Sequence, residues 1–296
     1  MPNLKEVRIR IESVKSTMQI TSAMKLVAAS KLRRAQQAIL TLRPFAARLT
    51  HILQDISGSI DATDDDDVFT KEREIKNVLL VVISSNRGLC GAFNANVIKK
   101  ANELIRNKYQ QQYDQGKLHL YCIGKKVYEH YQRRNYQIVE YNPGIFNDLT
   151  FNNVAPVAEG LMQDFADGKY DRIEIIYNQF KNAGVQILAD ETFLPIQLAE
   201  SSEDGQSPDI IDYIFEPEKE EIVRELLPKS LKVQLYKAIL DSFASEHGAR
   251  MTAMHKATDN AQEMLKDLRL SYNKARQASI TNELIEIVSG SNALNE

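Results

Sequence analysis

The chain has 296 residues, 26% charged and 43% hydrophobic, with no Trp and two cysteines, Cys90 and Cys122. Such a composition fits one or two ordinary domains, and two cysteines form neither a disulfide framework nor a metal-ligand spacing, which points to a reducing compartment. The net charge of −3 is unevenly spread: residues 1–58 carry 10 Lys/Arg against 3 Asp/Glu, residues 59–228 carry 18 against 29, and residues 229–296 carry 9 against 8. A basic leading segment beside an acidic middle implies different partners for the two. No run of 18 apolar residues is present, and MPNLKEVRIRIES at the N-terminus has no signal-peptide apolar core. The expectation is a cytosolic chain, or one peripheral on the cytosolic side of a membrane.

From Asn3 to Ser57 there is no Gly, and the single Pro is Pro44. Asn3 with Glu6 three residues later resembles a capping box at a helix start. A seam follows with alternating steps of four and three: Val7, Ile11, Val14, Met18, Thr21, Lys25, Ala28, Leu32, Ala35, Ile39 and Leu42. It weakens at Thr21 and Lys25, where Met24 and Leu26 are expected to supply the apolar surface. Residues 59–76, with Asp64–Asp67 in a row, read as an acidic linker.

The pattern then changes. Asn77–Ser84 is a near-continuous apolar run, as in a strand buried on both faces. Strands are expected at Lys117–Ile123, Tyr136–Tyr141, Asp171–Phe180 and Val185–Pro195. Helices are expected at Asn94–Gln111, Lys125–Arg134 and Val154–Phe165. Asn182-Ala183-Gly184 is a tight-turn signal joining the last two strands. Alternating strands and helices predict a mainly parallel α/β sheet with a hairpin at one edge. Glu200–Pro208 reads as a polar loop and Glu218–Leu227 as a short helix ending before Pro228.

From Ser230 to Val288 there is no Pro and only one Gly, Gly248. As one helix this span would be roughly 90 Å long, against about 30 Å for a compact domain. Its seam reads Met254, Ala257, Ala261, Met264, Leu268, Ser271, Ala275, Ala278, Asn282 and Ile285. Two Ala- and Met-rich stripes predict an antiparallel pair of long terminal helices with an α/β domain inserted between them. An ordinary helical bundle is the simpler alternative, but no third and fourth helix of that length exists. The expected divisions are 1–58, 59–76, 77–215 and 216–296.

Chemistry-bearing patterns are sparse. The turn Ser84–Asn94 (SSNRGLCGAFN) follows the first strand, where open α/β sheets bind ligands. It lacks both the P-loop ending and G-x-G-x-x-G, so a turn needing Gly for its dihedrals is the simpler reading. His247 and His255 are too far apart along a helix to share a metal. Lys25, Lys31, Arg33 and Arg34 cluster on the first helix; Arg250, Lys256, Lys266, Arg269, Lys274 and Arg276 spread along the last. They fit a nucleic acid, acidic loops of a protein partner, or plain solvation. No aromatics interleave with them, which argues against nucleic acid. Ile280, Leu284, Ile285, Ile287 and Val288 cover more than one helix face, so a partner sleeve or a docked tip is expected.

Three blocks carry a resemblance: IESVKSTMQITSAMKLVAASKLRRA at 11–35, the turn at 84–94, and ARMTAMHKATDNA at 249–261 with YNKARQASITNELIEIVSG at 272–290. In this order and spacing the sequence resembles the gamma subunit of F-type ATP synthases. The resemblance implies a rotor shaft inside a ring of alternating alpha and beta subunits, with the α/β domain touching epsilon and the membrane c ring. Catalysis would stay in the beta subunits, and this chain would hold no cofactor. Arg276 and Gln277 match positions that hydrogen-bond acidic loops of a beta subunit. Thr281 and Glu283 match neighbouring coupling positions, Met24 faces the beta-subunit lever, and Arg250 matches a coupling position. Lys25, Arg33 and Arg34 join the surface expected to meet the alpha/beta ring. Tyr213 and Glu216 fall where the foot would meet epsilon and the c ring. The sequence departs from the chloroplast relatives in lacking a cysteine pair after the sheet, so thiol regulation is not expected. Asp64–Asp67 matches no known family function. A coiled-coil scaffold with a ligand-binding α/β domain is the alternative reading.

Overall fold

A strand made only of apolar residues has no face to offer water, so it belongs at the centre of a sheet. Val78–Ile83 (β1) is buried at all its positions. It pairs in parallel with Leu118–Ile123 (β2), which pairs in parallel with Ile138–Asn142 (β3). On its other side β1 takes Arg172–Asn182 (β4), also parallel, and Val185–Leu194 (β5) closes that edge antiparallel to β4. The order is β3-β2-β1-β4-β5. The helices are Leu4–Ser57 (α1), Phe93–Lys108 (α2), Gln110–Asp114 (α3), Lys125–Gln132 (α4), Phe151–Ala166 (α5) and Lys219–Leu294 (α6). This computed structural model describes residues 4–57, 68–70, 73–196 and 219–294.

Alternation along β1 sends side chains to two different layers. Leu79, Val81 and Ile83 pack with Val154, Leu161 and Phe165 of α5 and with Leu231, Leu235, Ala238 and Ile239 of α6. Val78, Leu80 and Val82 pack with Val97, Ala101 and Ile105 of α2 and with Val127 and Tyr131 of α4. Each fully buried aliphatic side chain contributes about 2 kcal/mol relative to exposure. The hairpin turn forms as its residues predict: the Asn182 side-chain oxygen accepts from the N–H groups of Gly184 and Val185 at 3.0 and 2.8 Å.

The expected fold class holds: mixed α/β, long terminal helices and a mainly parallel sheet. One boundary is corrected. The short helix expected to stop before Pro228 does not stop; a single helix runs Lys219–Leu294 with Pro228 inside it. Proline in a helix interior loses a hydrogen bond and crowds the preceding turn, at about 3 kcal/mol. Leu227 and Leu231, both buried, flank it, and Leu231 packs into the core under the sheet, so burial outweighs propensity. Asn3, Asp64–Asp67, Glu200–Pro208, Tyr213 and Glu216 lie outside the described residues.

The chain divides into two compact units, Met1–Ala29 with Arg250–Glu296, and Ser30–Ala249. In the larger unit α1 buries Leu32, Ala35, Ile39 and Leu49, continuing the expected seam. There α6 also buries Asp241. Its side chain is 1% exposed, with the Arg43 guanidinium 3.5 Å away in ion-pair rather than hydrogen-bond geometry. Burial outweighs the charges of Arg43 and Lys237 and pushes the carboxyl up to about 6. In the unfolded chain the same group ionises near its ordinary value of 3.8. The unfolded chain therefore releases its proton first, and stability falls as pH rises from about 4 to about 6, then levels. The loss is about 3 kcal/mol. In Asp241→Asn this pH-dependent loss is absent. Relative to the parent, the variant is expected to gain about 3 kcal/mol between pH 4 and pH 7 in urea unfolding. An unchanged difference at the two pH values would show that the burial of Asp241 does not govern its ionisation.

Candidate interaction surface of the paired helices

The smaller unit is a helix pair. On α1, Val7, Thr21 and Ala28 are buried, and Ile11, Val14, Met18 and Lys25 are half-buried. The expected seam is thus realised position for position over this stretch. On α6, Met254, Ala261 and Leu265 are buried, with Ala257, Leu268, Tyr272 and Ala275 half-buried. Two seam positions move by one residue, Leu265 replacing Met264 (6% against 45% exposed) and Tyr272 replacing Ser271; Leu268, Ala275 and Ala278 stand where expected, while Asn282 and Ile285 are exposed. Leu26 was expected to support the seam and does not, being 68% exposed. Met24 is half-buried as expected, and Lys25 keeps its own seam position half-buried, where an aliphatic stem can lie along apolar surface while its ammonium stays wet.

At the middle of this seam the hydroxyls of Thr21 and Thr258 stand 2.8 Å apart. Each also has a main-chain acceptor in its own helix, Met18 at 3.0 Å and Met254 at 2.8 Å. One hydroxyl donates to the other, which donates to its own helix. That satisfies two polar groups between close-packed helices.

Outside the seam the unit is unusually apolar. Ile9, Ile20, Leu26 and Val27 on α1 are exposed, as are Leu270, Ile280, Leu284, Ile285, Ile287 and Val288 on α6. At 100° per residue the last five spread over about 160° of the helix. The sequence reading found the group at 280–288 but passed over Ile9, Ile20, Val27 and Leu270. Their signal was present, because they are large apolar residues standing off the seam of a two-helix element.

The residues expected to meet a partner fall into several settings. Arg276, Gln277, Thr281 and Glu283 are exposed on α6, and the Thr281 hydroxyl donates to the Gln277 carbonyl at 2.9 Å. Met24 and Lys25 are half-buried on α1. Arg250 is only 7% exposed, largely enclosed by its own chain. Arg33 and Arg34 belong to the larger unit and are exposed there. His255 pairs with Asp259 at 3.3 Å.

In the larger unit the turn after β1 is occupied by its own side chains. The Ser85 N–H donates to Asn94 Oδ1 at 3.0 Å, and the Ser85 hydroxyl donates to the Arg87 carbonyl at 2.7 Å. Asn94 Nδ2 reaches Cys90 Sγ at 3.3 Å. Asn86 donates to the Pro143 carbonyl and accepts from the Lys125 N–H, at 2.8 and 3.0 Å. Beside it Gly124, at φ +103°, lies so close that a Cβ would stand 2.2 Å from the Ser84 carbonyl oxygen. Within the turn Gly91 takes φ +59°, the kind of dihedral the simpler sequence reading expected of it, whereas Gly88 has no positive φ and a Cβ there would meet nothing within 4 Å. Both cysteines are buried, and burial pushes the Cys122 thiol up to about 12. Among the described residues no group of three or more His, Cys, Asp or Glu could hold a metal ion, and no helix is long and apolar enough to cross a membrane.

The Thr21–Thr258 contact can be measured. In a double-mutant cycle with Thr21→Val and Thr258→Val, a coupling of about 1 kcal/mol is expected in thermal unfolding followed by helical signal. No coupling would mean that each hydroxyl bonds only its own helix.

A family model described as ATP synthase matches residues 3–294. The ATP synthase gamma chain of Christiangramia forsetii is 56% identical over 295 residues, covering 100% of both chains. That of Cytophaga hutchinsonii is 54% identical over 296 residues with the same coverage. Among solved structures, a chain from the central stalk and c-ring of the Tetrahymena thermophila mitochondrial ATP synthase is 25% identical at a TM-score of 0.57, covering 80% of this chain and 99% of that one. A chain of the Euglena gracilis mitochondrial enzyme reaches a TM-score of 0.67 at 20% identity, over 98% of this chain and 94% of its own, a likeness of fold.

Proposed function

The chain belongs to the family of ATP synthase gamma chains, and we propose that it is the non-catalytic rotor shaft of that complex. It is a central-stalk subunit that couples proton flow through a membrane ring to the conformational cycling of catalytic beta subunits. The observation that carries the reading is the exposed apolar surface of the helix pair, above all Ile280–Val288. Apolar surface spread over nearly half the circumference of a thin helical element is stable in water only when another protein encloses it. A ring of alpha and beta subunits supplies that enclosure. Apolar contact is non-directional and lets a shaft turn, while charged groups favour particular angles.

In this reading Arg276, Gln277, Thr281 and Glu283 meet the alpha/beta ring together with Met24, Lys25, Arg33 and Arg34; Arg250, expected among them, is enclosed by its own chain and has little surface to offer a partner. Tyr213 and Glu216 serve the contact with epsilon and the c ring. The subunit is peripheral, on the cytoplasmic side of the membrane, and reaches the bilayer only through the c ring. Nucleotide chemistry belongs to the partner subunits; the self-filled turn at Ser84–Asn94 supports this. Saturable ATP binding by the purified chain would instead favour the scaffold with a ligand-binding domain.

In the assembled enzyme, Arg276→Ala with Gln277→Ala is expected to lower ATP-driven proton pumping while the larger unit stays folded. Pumping at the parental level would remove the coupling role of these two residues. Truncation after Ala278 is expected to leave a folded, assembling chain with a loosened bearing, read as lower torque or coupling. A truncated chain that fails to fold would show that the tip is part of the fold rather than a bearing.

A further inference from the structure

Within the larger unit, the β4–β5 hairpin is stitched to both long helices by polar contacts. On α6 the residues involved are Gln234, Lys237, Asp241, Ser245 and Gly248. Their steps of three and four place them on one face of the helix. Gln234 donates to the Thr192 carbonyl at 3.3 Å, and Lys237 Nζ lies 3.7 Å from Glu191. The Ser245 hydroxyl donates to the Asn178 carbonyl at 3.0 Å. Gly248 comes so close to the hairpin tip that a Cβ there would stand 3.2 Å from both Cα and O of Ala183, tighter than most side chains tolerate. From α1, Arg43 Nη2 donates to the Phe180 carbonyl at 2.9 Å and faces Asp241 of α6 at 3.5 Å. One guanidinium therefore joins α1, α6 and β4.

These contacts differ in kind from the packing around them. Leu235, Ala238 and Ile239 press α6 onto the sheet layer and set which of its faces is buried, while each apolar contact, being non-directional, adds little angular precision beyond that. Hydrogen bonds to carbonyl oxygens weaken steeply when the donor swings off line. Two such bonds from one face of α6, those of Gln234 and Ser245, resist rotation of that helix about its own axis, and Arg43 does the same for α1. β4 is itself laddered to β1, so a twist applied to either helix passes through the hairpin into the body of the sheet.

We infer that the β4–β5 hairpin is a rotational clasp that locks α1 and α6 to the sheet, with Arg43, Ser245 and Gly248 as its positioning residues. The inference rests on the rotor reading, in which torque must cross from the α/β domain to the helices without slip. Releasing the clasp leaves the catalytic subunits able to hydrolyse ATP but wastes part of each turn.

The test uses the whole complex, assembled with Arg43→Ala plus Ser245→Ala, and separately with Gly248→Ala and Arg43→Lys. Protons pumped per ATP hydrolysed are measured beside hydrolysis rate and subunit content. The clasp predicts that pumping yield falls in Arg43→Ala plus Ser245→Ala and in Gly248→Ala with hydrolysis retained. Arg43→Lys keeps the charge opposite Asp241 and recovers part of the yield. A fall of hydrolysis and pumping together, in proportion to lost complex, would overturn it in favour of simple stabilisation. Parental yield in the clasp variants would also overturn it. Arg276→Ala with Gln277→Ala in the same assay separates the two claims: if that variant uncouples while the clasp variants do not, the rotor reading stands and the clasp falls.

Discussion

Two helices packed on each other can bury only one stripe apiece. In the unit formed by Met1–Ala29 and Arg250–Glu296 that stripe is narrow and built largely from small or half-buried groups: Thr21, Ala28, Ala257, Ala261 and Ala275. Every large apolar residue off the stripe is left facing outward. In a protein that works alone such residues would be selected against, because clustered apolar surface favours association. Here they occur on both helices, from Ile9 to Val27 and from Leu270 to Val288. That one geometric limit connects the composition of the helices to the need for an enclosing partner.

The larger unit is organised by the opposite condition. β1 lies between two layers of helices, and both faces of the sheet are filled. In an open α/β sheet the C-terminal ends of the strands usually offer a ligand crevice. In this chain the turn after β1 is closed by Ser85, Asn86 and Asn94 and by the tight approach of Gly124 to Ser84. The mainly parallel sheet keeps that end of its strands, but the polar groups there are engaged with one another and with the chain's own backbone. The hairpin β4–β5, with its contacts to Arg43 and Ser245, then becomes the more informative part of the sheet.

Much of this was legible in the residues. The central strand β1 is where its apolar run placed it, because burial on both faces demands unbroken apolar sequence, and the partly exposed edge strand β5 follows from the Asn-Ala-Gly turn that joins it to β4. The α1 seam was readable because four-three spacing keeps one line of contact. Reading failed where a local rule met tertiary packing. Pro228 was taken as a helix end, but buried Leu227 and Leu231 carry the helix through it. The expected seam residue Met264 is exposed and its neighbour Leu265 is buried in its place, although Leu268, Ala275 and Ala278 keep the expected spacing. Asp241 and Arg43 gave no signal, since nothing local distinguishes a buried carboxylate from a solvated one, or its partner almost 200 residues away.

By itself the sequence determined the elements, their order, the family and the surplus of apolar residues at the C-terminal end. These depend on local periodicity and on ordered blocks of residues. Only the tertiary structure decided which polar groups meet across the chain. It closed the turn after β1, brought Thr21 to Thr258, and set Arg43 between a strand carbonyl and a buried carboxylate. Those outcomes depend on distances between segments remote in sequence, which no periodicity encodes.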